Sequence, residues 1–235
     1  EIAYGLDGAL KIHHPNSFVH KRYDETEAYQ EAIAGEYLFH DPHSPLNPVL
    51  DFSGLNRKEF EKFRSLLAKR PVKTEIPKYI SQAGIISAEF QLDFGSFRDI
   101  QRHRAINQRM PLVTTELGFN SWYTENLAEE ISAKLPEHLR SINSGIVSLG
   151  VSKEQAQYFL PMGYNTSNKF TGDIPASVYM VELRDTRFVH PTLQRVANSL
   201  GNQIVDALGI PLHRDLEPGR FDIKRGQHDI TLKNG

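Results

Sequence analysis

The sequence predicts an α+β fold in which an antiparallel sheet is packed with several helices. Two observations predict it. Most apolar residues after residue 55 recur every three or four positions, which is the period of an amphipathic helix. Only residues 85–94 and 164–171 are predicted as strands, and several helical stretches separate them. That order excludes a doubly wound parallel sheet and favours helices packed on an antiparallel sheet.

The helices have start and stop signals of their own. Ser96 is suited to cap one helix, Pro136 should kink or split another, and Gly209 stops the last. The predicted helices cover residues 56–69, 96–108, 123–149 and 152–157, a stretch that begins at Asp173, and residues 191–208.

These elements suggest three regions. Residues 1–55 form an irregular N-terminal arm, residues 56–209 a folded domain, and residues 210–235 a polar C-terminal tail. Four of the five histidines of the arm are candidate metal ligands, but their spacing matches no standard metal site, so we predict no metal: His13, His14, His40 and His43. The first residue is Glu1 and not methionine, which indicates a trimmed chain or a piece of a longer protein.

Composition narrows the class of protein. Of 235 residues, 27 are Lys or Arg and 29 are Asp or Glu, a formal net charge of −2. That balance gives no reason to expect duplex nucleic acid or an anionic membrane as a partner. There is no cysteine, which excludes disulfides and thiolate chemistry and fits a reducing, cytoplasmic compartment.

A basic stretch within residues 94–111 carries the strongest functional signal. Its basic-type residues are Arg98, Arg102, His103, Arg104 and Arg109. On a helix, Arg98, Arg102 and Arg109 would fall within roughly 40° of one another. Such a stripe is either a phosphate site or a solvated basic face paired with carboxylates.

The triplet Arg102-His103-Arg104 resembles the Arg-His-Arg signature of the flavin-dependent thymidylate synthases. The order of later features agrees with that family over about residues 56–208: a long helix, Leu160-Pro161, the strand at 164–171, Glu182-Leu183-Arg184, and His190 before the last helix.

The resemblance implies an enzyme that methylates dUMP to dTMP. Members are homotetramers that bind FAD, take hydride from NADPH and use methylenetetrahydrofolate as the carbon donor. Arg102, His103, Arg104 and His190 would bind the cofactor. Arg184 would be the catalytic residue, binding the uracil ring and favouring its deprotonated form. Arg98, Arg102 and Arg109 would join Arg184 in binding the substrate.

Some expected nucleotide contacts are replaced. Leu112 stands where the family has a serine, Asp99 replaces a glutamine, and Ser167 replaces an arginine. Two further functions therefore stay open. One is a catalytically degenerate structural or regulatory copy of the fold that pairs with an active domain. The other is a flavin enzyme that acts on a different nucleotide.

Two of the site residues also have purely structural interpretations. Arg184 has carboxylates on both sides and would then form an ion pair with Glu182 or Asp185. His190 would be a packed histidine at the start of the last helix.

Overall fold

The computed structural model describes residues 44–71 and 74–214. The four loop histidines of the arm lie outside the described residues, as does most of the tail. Within the described part the architecture is α+β, as predicted. The elements are β1 (Val49–Asp51), α1 (Arg57–Leu67), a 3-10 turn (Lys78–Ala83), β2 (Ile85–Asp93), α2 (Phe94–Ile100), β3 (Asn107–Arg109), α3 (Ser121–Asn126), α4 (Glu129–Leu149), α5 (Lys153–Ala156), a second 3-10 turn (Gln157–Phe159), β4 (Asn165–Asp173), α6 (Ile174–Arg184) and α7 (Pro191–Leu208).

The strands form one antiparallel sheet in the order β1-β2-β4-β3. In the β1–β2 ladder, Val49 lies opposite Glu89 and Asp51 opposite Ser87. The described chain divides into two compact units. One comprises residues 45–71, 74–108 and 170–214, and the other comprises Ser44 and residues 109–169.

The first unit contains a well-filled apolar core. Helix α7 packs against α6 and β2. Its buried residues include six apolar side chains that recur at helical spacing in the sequence: Leu193, Val196, Ala197, Leu200, Ile204 and Leu208. Gly209 ends the helix in the left-handed conformation, as predicted.

The same strand-to-helix junction occurs twice in this unit. Asp93 ends β2, and its carboxylate accepts a hydrogen bond from the Ser96 N–H at 3.0 Å. Asp173 ends β4, and its carboxylate accepts from the Ala176 N–H at 2.7 Å. Each aspartate caps the following helix, so strand and helix are joined without a loop.

The prediction of a helix from Ser96 to Gln108 is wrong at both ends. Asp93 and not Ser96 is the cap, and α2 ends at Ile100. The chain then turns, because the His103 N–H donates to the Ile100 carbonyl at 2.9 Å and the Ile106 N–H donates to the His103 carbonyl at 3.1 Å. Burial of His103 and Ile106 favours this turn over a continued helix.

The second unit has much less buried apolar surface among its described residues. Helix α4 has no buried residue, although its apolar positions repeat at helical spacing. Pro136 lies inside α4 and does not split it, so of the two predicted effects the kink stays a prediction. The break falls earlier, at Leu127, whose extended backbone separates α3 from α4. Helix α5 lies within the predicted helix at 152–157 and begins with a capping box formed by Ser152 and Gln155.

Candidate anion-binding site

The turn that follows α2 is fixed by one side chain from β3. The Gln108 amide donates to the Ile100 carbonyl at 2.7 Å and to the His103 carbonyl at 3.2 Å. These bonds close residues 101–106 onto the end of α2. As a result His103 is buried, whereas the residues on either side of it, Arg102 and Arg104, are exposed. Gln108 is not recognisable as a site residue from the sequence, because its role depends on a turn in a stretch with a helical pattern.

Arg184 meets the buried histidine from the end of α6. Its Nε donates to His103 Nε2 at 3.0 Å, and its Nη2 donates to the Asp99 carbonyl at 2.8 Å. Residues 81 positions apart in the sequence are therefore in direct contact. The structure thus brings together the two parts of the chain that the resemblance singles out.

The contact determines the state of the imidazole. A guanidinium can only donate, so His103 Nε2 must accept and Nδ1 must carry the proton. Burial is the main cause that lowers the pKa of His103 to about 4. The positive charge of Arg184 lowers it further, and Asp99 opposes the shift. At neutral pH, His103 is therefore an uncharged acceptor.

Burial also lowers the pKa of the Arg184 guanidinium, opposed by Asp99 and Tyr179 and assisted by Arg102. Arginine remains charged at every physiological pH. The Tyr179 ring meets the His103 imidazole edge to face, with centroids 5.9 Å apart. Tyr179 is another residue that the sequence analysis missed, since no motif identifies an aromatic residue five positions before Arg184.

The alternative role of Arg184 as a structural ion-pair partner is not observed. The Glu182 carboxylate is bound by both terminal nitrogens of Arg70. Asp185, which is fully buried, accepts from Arg214 Nη1 at 3.1 Å. Both neighbouring carboxylates are therefore occupied by other arginines, and Arg184 is directed to His103 and Asp99 instead.

The arginines on either side of His103 in the sequence line an open, cationic depression. Its volume is about 330 Å³, and it is lined by Arg98, Gln101, Arg102 and Arg104. Arg102 lies 3.6 Å from the Asp99 carboxylate, but 72% of its side chain is exposed, so this ion pair is weak. Three guanidiniums around one depression suit an oxyanion with several acceptor oxygens, such as a phosphate.

The helical stripe on which the phosphate hypothesis was based does not exist. Arg98 lies on α2, Arg102 lies in the turn, and Arg109 is half-buried on β3. Arg98 and Arg102 still line the same depression, because the chain turns after α2 and not because they share a helix face. The helical spacing that grouped Arg109 with Arg98 and Arg102 is absent, and Arg109 does not line the depression.

His190 occupies a hydrogen-bonded cluster at the start of α7. Its Nδ1 lies 2.8 Å from the Thr192 hydroxyl and 3.4 Å from the Ser96 hydroxyl, and those two hydroxyls are 2.7 Å apart. The ring is half-buried. This packing agrees with the structural interpretation of His190 and leaves its cofactor role a prediction.

Two further properties of the described residues bear on function. No three histidine, aspartate or glutamate side chains in this part of the chain come together in a way that would hold a metal ion. No helix within residues 44–71 or 74–214 has the length and apolar content needed to cross a membrane.

The fold and the site together define an α+β protein with a cationic depression and with a half-buried arginine that donates to a buried histidine. No protein-family model matches the sequence. The chain is similar to a UPF0159 protein of Chlamydia pneumoniae, with 26% identity over 178 residues, 74% of this chain and 33% of the relative. A UPF0159 protein of Chlamydia muridarum is 28% identical over 133 residues, 54% of this chain and 25% of that protein.

A third relative has a similar level of identity. The UPF0159 protein Ta1429 of Thermoplasma acidophilum is 28% identical over 153 residues, which cover 61% of this chain and 29% of that protein. The matched regions thus span between a quarter and a third of these curated relatives.

Proposed function

We propose that this chain is a flavin-dependent thymidylate synthase-like protein that takes part in the reductive methylation of dUMP to dTMP. FAD would be the cofactor, with NADPH and methylenetetrahydrofolate as co-substrates. The proposal also includes the homotetramer that the resemblance implies and the cytoplasmic location that fits a chain without cysteine. The contact between Arg184 and His103 is the observation that supports it most, because it unites two motifs that are far apart in the sequence.

The depression fits part of such a ligand. Ligand pockets usually enclose about 300–1,000 Å³, and a volume of about 330 Å³ is at the low end of that range. The surface formed by Arg98, Arg102 and Arg104 therefore suits the phosphate or diphosphate end of a nucleotide. The rest of a dinucleotide would need further surface, which another subunit would supply in an oligomer.

The residues of this chain would bind and orient the ligands. Arg98, Arg102 and Arg104 would hold phosphate oxygens through charge-assisted hydrogen bonds. Arg184 would stabilise negative charge that develops on the pyrimidine ring, because it is a fixed cation in a partly desolvated position. Bound FAD would supply the hydride transfer.

The first experiment measures FAD binding by the purified protein, from its visible spectrum and from quenching of FAD fluorescence during a titration. The second measures tritium release from ring-labelled dUMP in the presence of methylenetetrahydrofolate, NADPH and FAD. Arg102→Ala and Arg104→Ala should weaken FAD binding by about 10- to 100-fold each, as expected for the loss of charge-assisted hydrogen bonds. Arg195→Ala removes an exposed arginine on α7 and is the matched control.

Wild-type protein that neither binds FAD nor releases tritium contradicts the proposal. Protein that binds FAD but does not act on dUMP favours the flavin enzyme with a different nucleotide. Leu112 and Ser167, which replace polar and cationic residues of the family pattern, are the sequence basis of that outcome.

The second candidate function is a non-catalytic copy of the fold that pairs with an active domain. The relatives' lengths favour it, since about two thirds or more of each relative lies outside the region that this chain matches. A protein that does not bind FAD alone, but raises the activity of an added catalytic domain, would support this candidate.

A further inference from the structure

We propose that His103 is a positioning residue for Arg184. Its neutral Nε2 accepts a hydrogen bond from Arg184 Nε, which leaves the Nη1–Nη2 edge of the guanidinium for a planar ligand with two neighbouring acceptors. This inference rests on the proposed function for the identity of the ligand, and on geometry alone for the roles of the two residues. It differs from the expected role of His103 as a cofactor contact.

The first step concerns the protons of the contact. Arg184 Nε lies 3.0 Å from His103 Nε2, and an arginine nitrogen has no lone pair to offer at neutral pH. Nε2 must therefore be unprotonated, and the imidazole must carry its proton on Nδ1. His103 is 8% exposed, so little water is present to replace this acceptor.

The second step concerns the fixing of the imidazole. The backbone of His103 is hydrogen-bonded at both its N–H and its carbonyl, the latter to Ile106 and to the Gln108 amide. The Tyr179 ring packs against the imidazole from α6. An acceptor held from several sides can fix the orientation of a longer and more flexible side chain, which is what a positioning residue must do.

The third step counts the donors of Arg184. Of its five N–H groups, Nε–H binds His103 and one hydrogen of Nη2 binds the Asp99 carbonyl. Nη1 makes no hydrogen bond to the residues that the structure describes. Three N–H groups therefore remain, two on Nη1 and one on Nη2, so both nitrogens of the Nη1–Nη2 edge still carry a donor. That edge matches two adjacent acceptors in one plane, such as a carbonyl oxygen beside a deprotonated ring nitrogen, or a carboxylate.

The charges around the pair make this arrangement depend on a neutral His103. The charge of Arg184 disfavours a proton on the imidazole, and Asp99 favours it. Arg102 acts on Arg184 instead and lowers the pKa of its guanidinium. Tyr179 is the titratable side chain that packs on the ring from α6. A proton on Nε2 would replace the acceptor by a donor and place two cations in contact.

The test uses two variants of matched size. His103→Gln retains an acceptor oxygen near the position of Nε2, whereas His103→Leu has none. We expect His103→Leu to weaken dUMP binding, measured by calorimetry, by about 10-fold or more, and His103→Gln to restore affinity to within about threefold of wild type. Circular dichroism and thermal melting show whether each variant is folded. Folded Leu and Gln variants that lose equal affinity, or none, overturn the proposal.

A second measurement needs no ligand and so separates this inference from the proposed function. Long-range ¹H–¹⁵N NMR of the histidine rings at pH 7 should show His103 as the Nδ1–H tautomer, with the signal assigned by its absence in His103→Gln. Arg184→Met, which removes both the Nε donor and the positive charge, should raise the pKa of His103 and increase the other tautomer. A protonated Nε2 in the wild type, or an unchanged His103 in Arg184→Met, overturns positioning. The expected spectra without any dUMP binding would uphold positioning and contradict the proposed function.

Discussion

Removal of the Glu182 carboxylate should destabilise the protein strongly, although Glu182 contacts no ligand in the proposed mechanism. Its carboxylate is bound by both terminal nitrogens of Arg70, and it also accepts from the His213 N–H at 2.7 Å. The Arg70 side chain is only 4% exposed and that of Glu182 is 16% exposed. In Glu182→Ala, a buried guanidinium would lose its counter-ion and a backbone N–H would lose its acceptor.

The size of the effect follows from burial. Removing one partner of a buried ion pair costs about 3–5 kcal/mol, because the remaining charge is left without compensation. For a chain of this length, that loss lowers the melting temperature by roughly 6–20 °C. Replacing both residues, as in Arg70→Met with Glu182→Leu, removes the stranded charge, so the double variant should recover most of the loss.

The assay is urea unfolding followed by circular dichroism, with differential scanning calorimetry for the melting temperature. Glu61→Ala is the matched control, since Glu61 pairs with Arg64 at 2.7 Å on an exposed helix face and should contribute less than about 1 kcal/mol. The reasoning is refuted if Glu182→Ala and Glu61→Ala reduce the free energy of unfolding equally, or if the double variant is less stable than Glu182→Ala.

Three further predictions concern particular residues. Gly84→Ala should lower the free energy of unfolding in urea by more than about 3 kcal/mol, because φ is +118° and a Cβ atom would lie 2.3 Å from the Gly54 carbonyl oxygen. Gly118→Ala is the control, since φ is +71° with open space around it, and should lower that free energy by only about 1–2 kcal/mol. The pKa of His103 is lowered from 6.5 to about 4, so the unfolded state binds the proton more tightly than the folded state. The free energy of unfolding should therefore fall by up to about 3 kcal/mol as the pH drops from 6.5 to 4. His103→Gln should flatten that part of the stability–pH curve, and an unchanged slope would contradict the low pKa. Pro136→Ala should slow hydrogen exchange in α4, since alanine restores a backbone donor inside the helix and is the better helix former by about 3 kcal/mol; faster exchange would show that the proline is not a strained position.

The sequence predicts the last helix well because every signal there is local. Its apolar face repeats at helical spacing, Pro191 opens it, and Gly209 supplies the left-handed residue that ends it. The turn at residues 101–106 could not be predicted in this way, because the local pattern there is helical. Phe97 and Ile100 continue a helical pattern, and nothing nearby shows that His103 is buried by a residue 81 positions later.

The site was only partly predictable for the same reason. The Arg-His-Arg triplet and Arg184 are recognisable in the sequence, and the structure brings His103 and Arg184 into contact. Which carboxylate pairs with which arginine was not predictable, because Arg70 reaches Glu182 across 112 positions of sequence. Gln108 likewise shows its role only once its amide is placed on the Ile100 carbonyl.

The direct junctions at Asp93 and Asp173 restrict how this protein can evolve new ligand preferences. One inserted residue at either junction would rotate the following helix by about 100° or turn the preceding strand over to its other face. Either change would carry Arg98 or Arg184 away from its position. Diversification of the site must therefore proceed by exchanging side chains within the short connection between α2 and β3, while the lengths of β2 and β4 and of the helices that follow them stay constant.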